Sequence, residues 1–285
     1  MPPQPERASG PPRWAAVLNR ISWTALPDAA PGRGVPLHSV IDLHKGLTGP
    51  VVLALMLALG VFTVPAWTYL ALHGSYGVIW VIKDRTFPDR QWQRRVRWTG
   101  AVATWAFLSL YWIAPAILLL GTAGAVDLGA WDPAGPPWLA AAIALYALGL
   151  VLMVGADAQK NLTLAARSGR EGGTGAGLIT TGFFARTRHP NYLGEMLIYG
   201  GFALVVDHWL PWAVLAGVWG LFFVPNMLAI DASLSRYPEY EAWRTRTGFL
   251  LPRIGGRGGA VDAGRERGDA PSGRSGTGPD TGPGP

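Results

Sequence analysis

Long apolar runs constrain the fold of this chain more than any other feature of its sequence. A helix that crosses a bilayer needs roughly 17–25 mostly apolar residues. Five segments meet or approach this length: residues 51–72, 99–121, 138–156, 192–206 and 209–229. Hydrophobic residues make up 49% of the chain and charged residues 15%, which also favours a membrane protein over a soluble one. We therefore predict an all-α fold, a polytopic transmembrane helical bundle of about five spans, with six or seven as the alternatives.

Basic residues predict the orientation of the bundle, because Lys and Arg concentrate in short cytoplasmic loops. Residues 73–98 carry six of them and residues 157–189 carry five, whereas residues 122–137 carry none. This alternation places residues 157–189 and the C-terminus in the cytoplasm, and we expect a bacterial cytoplasmic membrane. The five basic residues before residue 51 would then lie outside, and a sixth crossing near residues 73–82 would remove this conflict.

Both ends of the chain differ in composition from its apolar centre. Residues 1–36 and 255–285 are predicted as disordered tails, because Pro- and Gly-rich stretches bury little apolar surface. Residues 37–254 form the predicted membrane domain. Four apolar residues of the N-terminal tail fall at the spacing of an amphipathic helix: Trp14, Val17, Leu18 and Ile21. This helix either lies on the membrane surface or packs loosely against the protein.

The sequence also argues against several kinds of chemistry. It contains no Cys, so disulfides, thiolate metal sites and Cys nucleophiles are excluded. Its five histidines are scattered without ligand-like spacing, and we therefore predict no metal. Nothing resembles a recognition helix or a stacking sheet, so we expect no nucleic acid partner. The net charge of +6 fits a positive cytoplasmic face that attracts anionic membrane lipids.

The stretch RTRHPNYLGE, residues 186–195, places cationic groups at the start of the fourth apolar run. Arg186, Arg188 and His189 stand just before a helix N-terminus, where unpaired backbone N–H groups and the helix dipole both favour anions. Arginine also binds phosphate or carboxylate in a bidentate manner. The stretch therefore predicts an anion-binding site at the cytoplasmic surface.

A polar stripe continues into the helix that follows. Asn191, Glu195 and Tyr199 are spaced four apart, so they share one helix face. Glu195 lies about 7 Å below the start of the helix at 1.5 Å rise per residue. A carboxylate that faced lipid at this depth would be costly. We therefore expect Glu195 to face a polar pocket or to form a salt bridge inside the bundle.

A second polar set follows the last apolar run in the segment NMLAIDASLSRYPEYEAWRTR, residues 226–246. It contains Asp231 and Arg236 together with further arginines and aromatic residues. A tight polar turn at residues 207–208 makes the last two runs a helical hairpin, which returns this set to the side of residues 186–195. The two sets can enclose a site for an amphipathic, anionic cofactor and a lipophilic substrate from the bilayer. The alternative is a basic helix that lies on lipid headgroups.

The motifs ADAQK and LITTGFFARTRHPNYLGE, followed by RYPEYEAWRTRTGFLLPRI, resemble a bacterial branch of the steroid 5-alpha-reductase-like membrane proteins. That superfamily also contains sterol reductases and isoprenylcysteine carboxyl methyltransferases. The resemblance is strong over residues 157–254, the cofactor half, and weaker over residues 73–92. It implies an NADPH site in which Asp157 helps to hold the adenosine part, while Asn191 and Glu195 contact the nicotinamide. The other cofactor-binding candidates are Lys160, Arg186, Arg188, His189, Asp231 and Arg236.

The reaction that the resemblance implies is hydride transfer from NADPH to the double bond of a lipophilic enone or a related lipid. Tyr76 is the candidate proton donor, with Tyr199 second, and Glu195 is the residue expected to orient the nicotinamide. Steroid reductases place a His–Tyr pair and a separate Glu on the substrate ketone. His73 and Tyr76 loosely match the pair, and no residue here matches that Glu.

Two alternatives to the reductase stay open. The first is a methyltransferase that uses S-adenosylmethionine on a membrane-embedded substrate, since the two arms of the superfamily share the Arg188 to Gly194 core. The second is a non-catalytic membrane protein that keeps the fold. The choice of cofactor separates the first alternative from the reductase, because S-adenosylmethionine has no phosphate and needs less positive charge.

Overall fold

The computed structural model describes residues 10–169 and 175–254, and these residues form a helical bundle with very little strand, which confirms the predicted fold class. Two short strands, β1 (Val35–Pro36) and β2 (Arg95–Val96), pair antiparallel. The helices are α1 (Arg13–Thr24), α2 (Leu37–Leu59), α3 (Val64–Thr86), α4 (Trp98–Ser109), α5 (Ile113–Thr122), α6 (Pro136–Ser168), α7 (Pro190–Val206), α8 (Trp209–Val218), α9 (Val224–Leu234) and α10 (Tyr240–Arg246).

Several of these helices are suited to a membrane. Among the described residues, four helical segments are long and apolar enough to cross one: Leu37–Leu59, Trp98–Thr122, Pro136–Ser168 and Trp209–Leu234. The second joins α4 to α5 through a 3-10 turn, and the fourth joins α8 to α9 through a π-helical turn. α3 is less apolar because it contains several aromatic residues, one His and the charged residues Lys83, Asp84 and Arg85, and α7 has 17 residues. The chain is therefore a helical membrane protein.

The first predicted span is wrong. Residues 51–72 are not one helix but the end of α2 and the start of α3. Gly60 ends α2 in the left-handed conformation, with φ of 66°. The Thr63 hydroxyl caps α3 by accepting a hydrogen bond from the backbone N–H of Ala66. The weak sixth crossing considered near residues 73–82 lies within α3, so α2 and α3 form a hairpin.

Glycines bring α2 and α3 very close together. A methyl group added to Gly77 would lie 2.1 Å from the backbone oxygen of Lys45, and one added to Gly49 would lie 3.1 Å from the Cα of Gly74. Small residues allow membrane helices to approach closely. This contact fixes the antiparallel register of the two helices, and with it the relative positions of their polar side chains.

The helices α6 and α7 form a second close antiparallel pair. A methyl group added to Gly194 would lie 2.5 Å from the backbone nitrogen of Met153, and one added to Gly149 would lie 2.6 Å from the backbone oxygen of Gly194. α7 begins at Pro190, directly after His189 as expected, and ends at Val206, where Asp207 caps it with a φ of 52°. The predicted hairpin of α7 and α8 is therefore confirmed.

The N-terminal part of the chain packs on the bundle. α1 is the predicted amphipathic helix, and it contacts α9. Its apolar residues Trp14, Val17 and Ile21 are each more than half exposed. An apolar stripe that faces outward from a helix bound to a membrane protein is compatible with the membrane-surface interpretation.

Part of the predicted N-terminal tail is ordered. Within residues 27–36, Val35–Pro36 pairs with β2, and Asp28 forms an ion pair of 2.7 Å with Arg94. The ribbon supplies backbone partners that the composition of this stretch did not reveal. The remaining parts of the predicted tails, residues 1–9 and 255–285, lie outside the described residues.

Candidate functional site

A buried lysine lies inside the bundle, where α2 meets α3. Lys45 Nζ donates a hydrogen bond of 2.7 Å to the hydroxyl of Tyr76. It also lies 3.2 Å from the centre of the Trp80 ring, where a cation–π interaction stabilises the ammonium charge. All three side chains are buried. Tyr76, the candidate proton donor, therefore has a cation bound directly to its oxygen.

Lys45 is a residue that the sequence analysis missed, because the first span was expected to begin at residue 51. A signal was present. Four buried residues of α2 recur at the spacing of one helix face: Ile41, Lys45, Thr48 and Val52. An ionisable residue within the buried face of a membrane helix is costly to keep there and therefore indicates a functional site.

Glu195 faces the same interior from α7. It is half-buried, and its carboxylate is close enough to Lys45 and Lys83 for their charges to attract it. Lys83 Nζ lies 2.5 Å from an oxygen of Asp157 on α6. We name Lys45, Tyr76, Lys83, Asp157 and Glu195 the inner cluster. The structure thus brings together three predicted site residues, Tyr76, Asp157 and Glu195, with two lysines that were not predicted.

Aromatic rings line one side of the inner cluster. Tyr199 stacks on Tyr111 with ring centres 4.1 Å apart, and it meets the ring of Tyr76 edge-on at 5.5 Å. The ring of His73 stacks on Phe202 at 4.3 Å and lies 6.3 Å from that of Tyr76. His73 and Tyr76, which the resemblance paired loosely, therefore lie side by side in the interior.

The open space beside these rings is small. A cavity of about 20 Å³ is lined by Tyr111, Tyr199 and Phe202 and by aliphatic residues of α8, among them Val214 and Leu215. This volume holds about one water molecule. A lipophilic substrate that reached the rings would therefore need the helices that line this cavity to move apart.

A second polar cluster lies at the start of α7. Arg188 Nε is 3.0 Å from one oxygen of Asp231 on α9, and His189 Nε2 is 3.4 Å from the other. Burial lowers the pKa of His189, and the Asp231 carboxylate opposes that shift. We name Arg188, His189 and Asp231 the outer cluster. The hairpin of the last two apolar runs therefore returns its polar end to the start of α7, as predicted.

The outer cluster is already paired within the protein. The resemblance implies that Arg188 and His189 meet phosphates, whereas both face the carboxylate of Asp231 here. The pairing is incomplete, because Arg188 Nε, His189 Nε2 and Asp231 Oδ1 are buried without a well-aligned hydrogen bond to any residue in the described part of the chain. Buried polar atoms usually have such a bond. The cluster therefore keeps capacity to bond a further group.

The other predicted cofactor residues belong to neither cluster, although they lie close to them in the chain. Lys160 forms an ion pair of 3.0 Å with Asp89. Arg186 and Arg236 are exposed and bond to neighbouring residues of the C-terminal segment. Asn191 lies half-buried in the first turn of α7, one turn before Glu195.

The helices and the two clusters define a polytopic helical membrane protein whose ionisable side chains meet inside the bundle. Residues 39–247 match a family described as "Protein of unknown function (DUF1295)", and the chain belongs to this family. The family is associated with the steroid 5-alpha-reductase-like superfamily, in agreement with the motifs.

Two curated relatives come from Schizosaccharomyces pombe (strain 972 / ATCC 24843). The chain is 34% identical to "Uncharacterized protein C594.04c" over 88 residues, which are 29% of this chain and 26% of that protein. It is 41% identical to "Uncharacterized protein C7D4.09c" over 56 residues, 20% of this chain and 19% of that protein. The matched stretches therefore span a quarter or a fifth of the length of these fungal proteins.

Proposed function

We propose that this chain is an integral membrane reductase that uses NADPH to reduce the double bond of a lipophilic compound, such as an enone or a sterol-like lipid. The hydrogen bond between Lys45 and Tyr76 carries the proposal, because it places a buried phenol against an ammonium group inside the bundle. A reduction of this type needs an acid that delivers a proton as the hydride arrives. Tyr76 has the chemistry and the shielded position of such an acid.

The two clusters suit the two ends of NADPH. The outer cluster, with the exposed Arg186 and Arg236 nearby, offers more positive than negative charge and atoms that lack hydrogen-bond partners. Both features fit phosphates. Glu195 lies about 9 Å further along α7 at 1.5 Å rise per residue, and its carboxylate can accept a hydrogen bond from the nicotinamide amide. NADPH bound in this way would supply the hydride.

The side chains of the inner cluster would handle the proton. Tyr76 would donate the proton of its hydroxyl to the carbonyl oxygen of the enone, which balances the hydride added to the β-carbon. Lys45 already donates a hydrogen bond to the hydroxyl oxygen of Tyr76. It would therefore stabilise the negative charge that this oxygen acquires when the proton leaves. Trp80 holds the ammonium group in place from its other side. The rings of Tyr199 and Phe202 would keep water away.

One observation favours a second cofactor. Asp231 neutralises Arg188 at 3.0 Å, which leaves less positive charge for phosphates than the sequence suggested. S-adenosylmethionine carries no phosphate, and its positive charge would suit a site that contains Asp231 and Glu195. A methyltransferase of a membrane-embedded substrate is therefore the second candidate function.

Cofactor titration of the detergent-purified protein tests these proposals. The 14 tryptophans allow binding to be followed by fluorescence quenching, with NADPH, NADH and S-adenosylmethionine compared at low and moderate salt. The reductase proposal expects saturable NADPH binding that weakens with salt and falls more than about tenfold in Arg188→Ala, since a charge-assisted hydrogen bond is lost. The exposed Arg90→Ala is the matched control.

The outcomes separate the candidates. Binding of S-adenosylmethionine alone would support the methyltransferase. Binding of neither cofactor would overturn both proposals and leave a non-catalytic membrane protein. If NADPH binds, lipid enones are screened by measuring the rate at which NADPH is oxidised in their presence. The reductase proposal expects turnover that Tyr76→Phe abolishes.

A further inference from the structure

A group of three potential metal ligands lies at one end of the α2–α3 hairpin, about one helical turn from Lys45 of the inner cluster. His38 and Asp42 are one turn apart on α2, and Asp84 approaches them from α3. His38 Nδ1 lies 3.4 Å from an oxygen of Asp84 and 4.0 Å from an oxygen of Asp42. One potential ligand atom from each residue lies within 4.8 Å of the other two. The scattered histidines of the sequence gave no sign of this approach, because it joins two helices.

The two carboxylates are buried, and the cations near them are either exposed or bonded elsewhere. Lys45 attracts Asp42 from one turn away on α2, but its ammonium group donates its hydrogen bond to Tyr76. Asp42 is 5% exposed and Asp84 is 6% exposed. Asp42 contacts Arg85 at 3.3 Å, but the side chain of Arg85 is 65% exposed and free to turn towards water. Asp84 receives one long amide contact of 3.5 Å from Gln93. Removing carboxylates from water is costly unless a cation compensates them.

Hydrogen bonding is incomplete at the same place. Asp42 Oδ1 and His38 Nδ1 are both buried without a hydrogen-bond partner among the described residues. A buried acceptor without a partner is destabilising, and such atoms are rare in native proteins. The unpaired oxygen belongs to a side chain that is 6% exposed. The missing partner is therefore a cation that reaches this group from outside the chain, or a proton on His38.

We propose that His38, Asp42 and Asp84 bind one divalent transition-metal ion of the Zn²⁺ type. An ion with metal–ligand bonds of about 2.0–2.2 Å holds its ligand atoms roughly 3–4 Å apart, and the spacings of 3.4 and 4.0 Å around His38 Nδ1 match this range. The imidazole favours first-row transition ions, because Mg²⁺ and Ca²⁺ prefer oxygen ligands alone. Two charges from the metal would balance the two buried carboxylates.

The position of this site indicates what the ion would do. It joins the first turns of α2 to the last turns of α3, and the same two helices hold Lys45 against Tyr76. His38 and Lys45 are about 10 Å apart along α2 at 1.5 Å rise per residue. The ion would therefore fasten the open end of the hairpin and stabilise the register that the Lys45–Tyr76 hydrogen bond needs. Its role would be structural, and it would persist whatever reaction the protein performs.

Metal analysis of the full-length protein tests the proposal directly. The protein is purified in detergent with a tag that lacks histidine, treated with EDTA, and then dialysed against Zn²⁺, Mn²⁺ or Mg²⁺. We expect about one Zn²⁺ per chain by elemental analysis, a rise in the thermal unfolding midpoint with Zn²⁺, and no comparable effect of Mg²⁺. His38→Gln and Asp84→Asn should each weaken Zn²⁺ binding by more than about tenfold.

Matched variants make the result decisive. Asp28→Asn removes an exposed carboxylate of the nearby ribbon and should leave Zn²⁺ binding unchanged. Arg85→Ala removes the competing guanidinium and should preserve binding. If Asp84→Asn does not fold, His38→Gln decides, because the side chain of His38 is 24% exposed. Absence of Zn²⁺ uptake, or equal uptake by wild type and His38→Gln, would overturn the proposal and assign the balancing charge to a protonated His38.

Discussion

Lys45 and Tyr76 meet across the α2–α3 interface, with the lysine nitrogen 2.7 Å from the tyrosine oxygen. The two helices approach this closely because residue 77 is a glycine, whose missing methyl group would lie 2.1 Å from the backbone oxygen of Lys45. The polar contact and the tight packing are therefore parts of one arrangement. A change in the helix packing should disturb the polar contact, and the polar contact can be removed without changing the packing.

Removal of either polar partner should lower reductase activity while the protein stays folded. Tyr76→Phe deletes the proposed acid, and Lys45→Met deletes the charge that assists it. We expect each change to reduce kcat about 10²–10⁴-fold, the usual contribution of a positioned acid. NADPH affinity of Tyr76→Phe should stay within about twofold, because this hydroxyl is not assigned to the cofactor. The measurement is the rate of NADPH oxidation with the best enone from the screen.

Tyr146→Phe is the matched control for the tyrosine change. Its hydroxyl bonds to Ser75, the neighbour of Tyr76 on α3, at 2.7 Å, and it has no assigned role in the reaction. This variant should keep kcat near the wild-type value. Wild-type turnover by Tyr76→Phe would exclude Tyr76 as the acid, even if NADPH still bound.

Close packing of α6 against α7 should make Gly194 intolerant of a side chain. A methyl group at this position would lie 2.5 Å from the backbone nitrogen of Met153, and backbone atoms cannot move aside as a side chain can. We expect Gly194→Ala to lower the free energy of unfolding by about 1–3 kcal/mol, measured by thermal or denaturant unfolding in detergent. Gly200→Ala on the same helix should be neutral or stabilising, since its nearest neighbour is Trp212 at 3.7 Å and Ala favours a helix. Equal losses in both variants would refute the packing argument.

Much of the second half of the fold could be predicted from the sequence, because its signals are local. The apolar run at residues 138–156 lies within α6, and Pro190 and Asp207 mark the two ends of α7. The turn between α2 and α3 was missed for a physical reason. Its residues Val61 and Phe62 are as apolar as the helices that they connect. Hydrophobicity alone therefore predicts one continuous span over residues 51–72. Gly60 and the Thr63–Val64–Pro65 start signal were the features that distinguished a turn.

The site divides in the same way between local and distant information. The sequence indicated that Glu195 is inside the bundle and that Arg188 and Asp231 lie near each other, because a helix period and a hairpin are readable patterns. It did not indicate that Lys45 binds Tyr76 or that Lys83 binds Asp157. Those pairs depend on the register between neighbouring helices. Contacts such as that between Gly77 of α3 and the backbone of α2 set this register, and no short segment encodes it.

Stability should decline in mildly acidic solution through His189. Burial lowers the pKa of this residue below its usual value, so the folded protein holds the neutral form over a wider range of pH. As pH falls below about 6.5, the usual histidine pKa, the unfolded chain takes up a proton first and becomes relatively more stable. We therefore expect unfolding midpoints to fall as the pH drops below about 6.5. His189→Gln should show a smaller decline over that range, and a parallel decline in both proteins would contradict this assignment.

The α2–α3 hairpin predicts that the residues before α2 and those after α3 lie on the same side of the membrane. A single crossing by residues 51–72 would place them on opposite sides. The β1–β2 ribbon places residues 35–36 within hydrogen-bonding distance of residues 95–96, so both must lie on one side of the membrane. Because the chain contains no Cys, single cysteines can be introduced at exposed positions and tested with an impermeant thiol reagent. Arg33→Cys and Arg90→Cys should react alike, only after the cells are permeabilised, since basic segments stay in the cytoplasm.

Ala125→Cys reports the opposite side. This exposed residue lies between α5 and α6 in a stretch without basic residues, so it should react in intact cells. Thr245→Cys on α10 should behave like Arg33→Cys, because two antiparallel helix pairs and two further spans return the chain to the same side. If residues 51–72 crossed the membrane once, the reagent would label both Arg33→Cys and Ala125→Cys in intact cells. Arg90→Cys would then stay protected. Labelling at Arg33→Cys and Arg90→Cys therefore distinguishes the two topologies, independently of what the protein does.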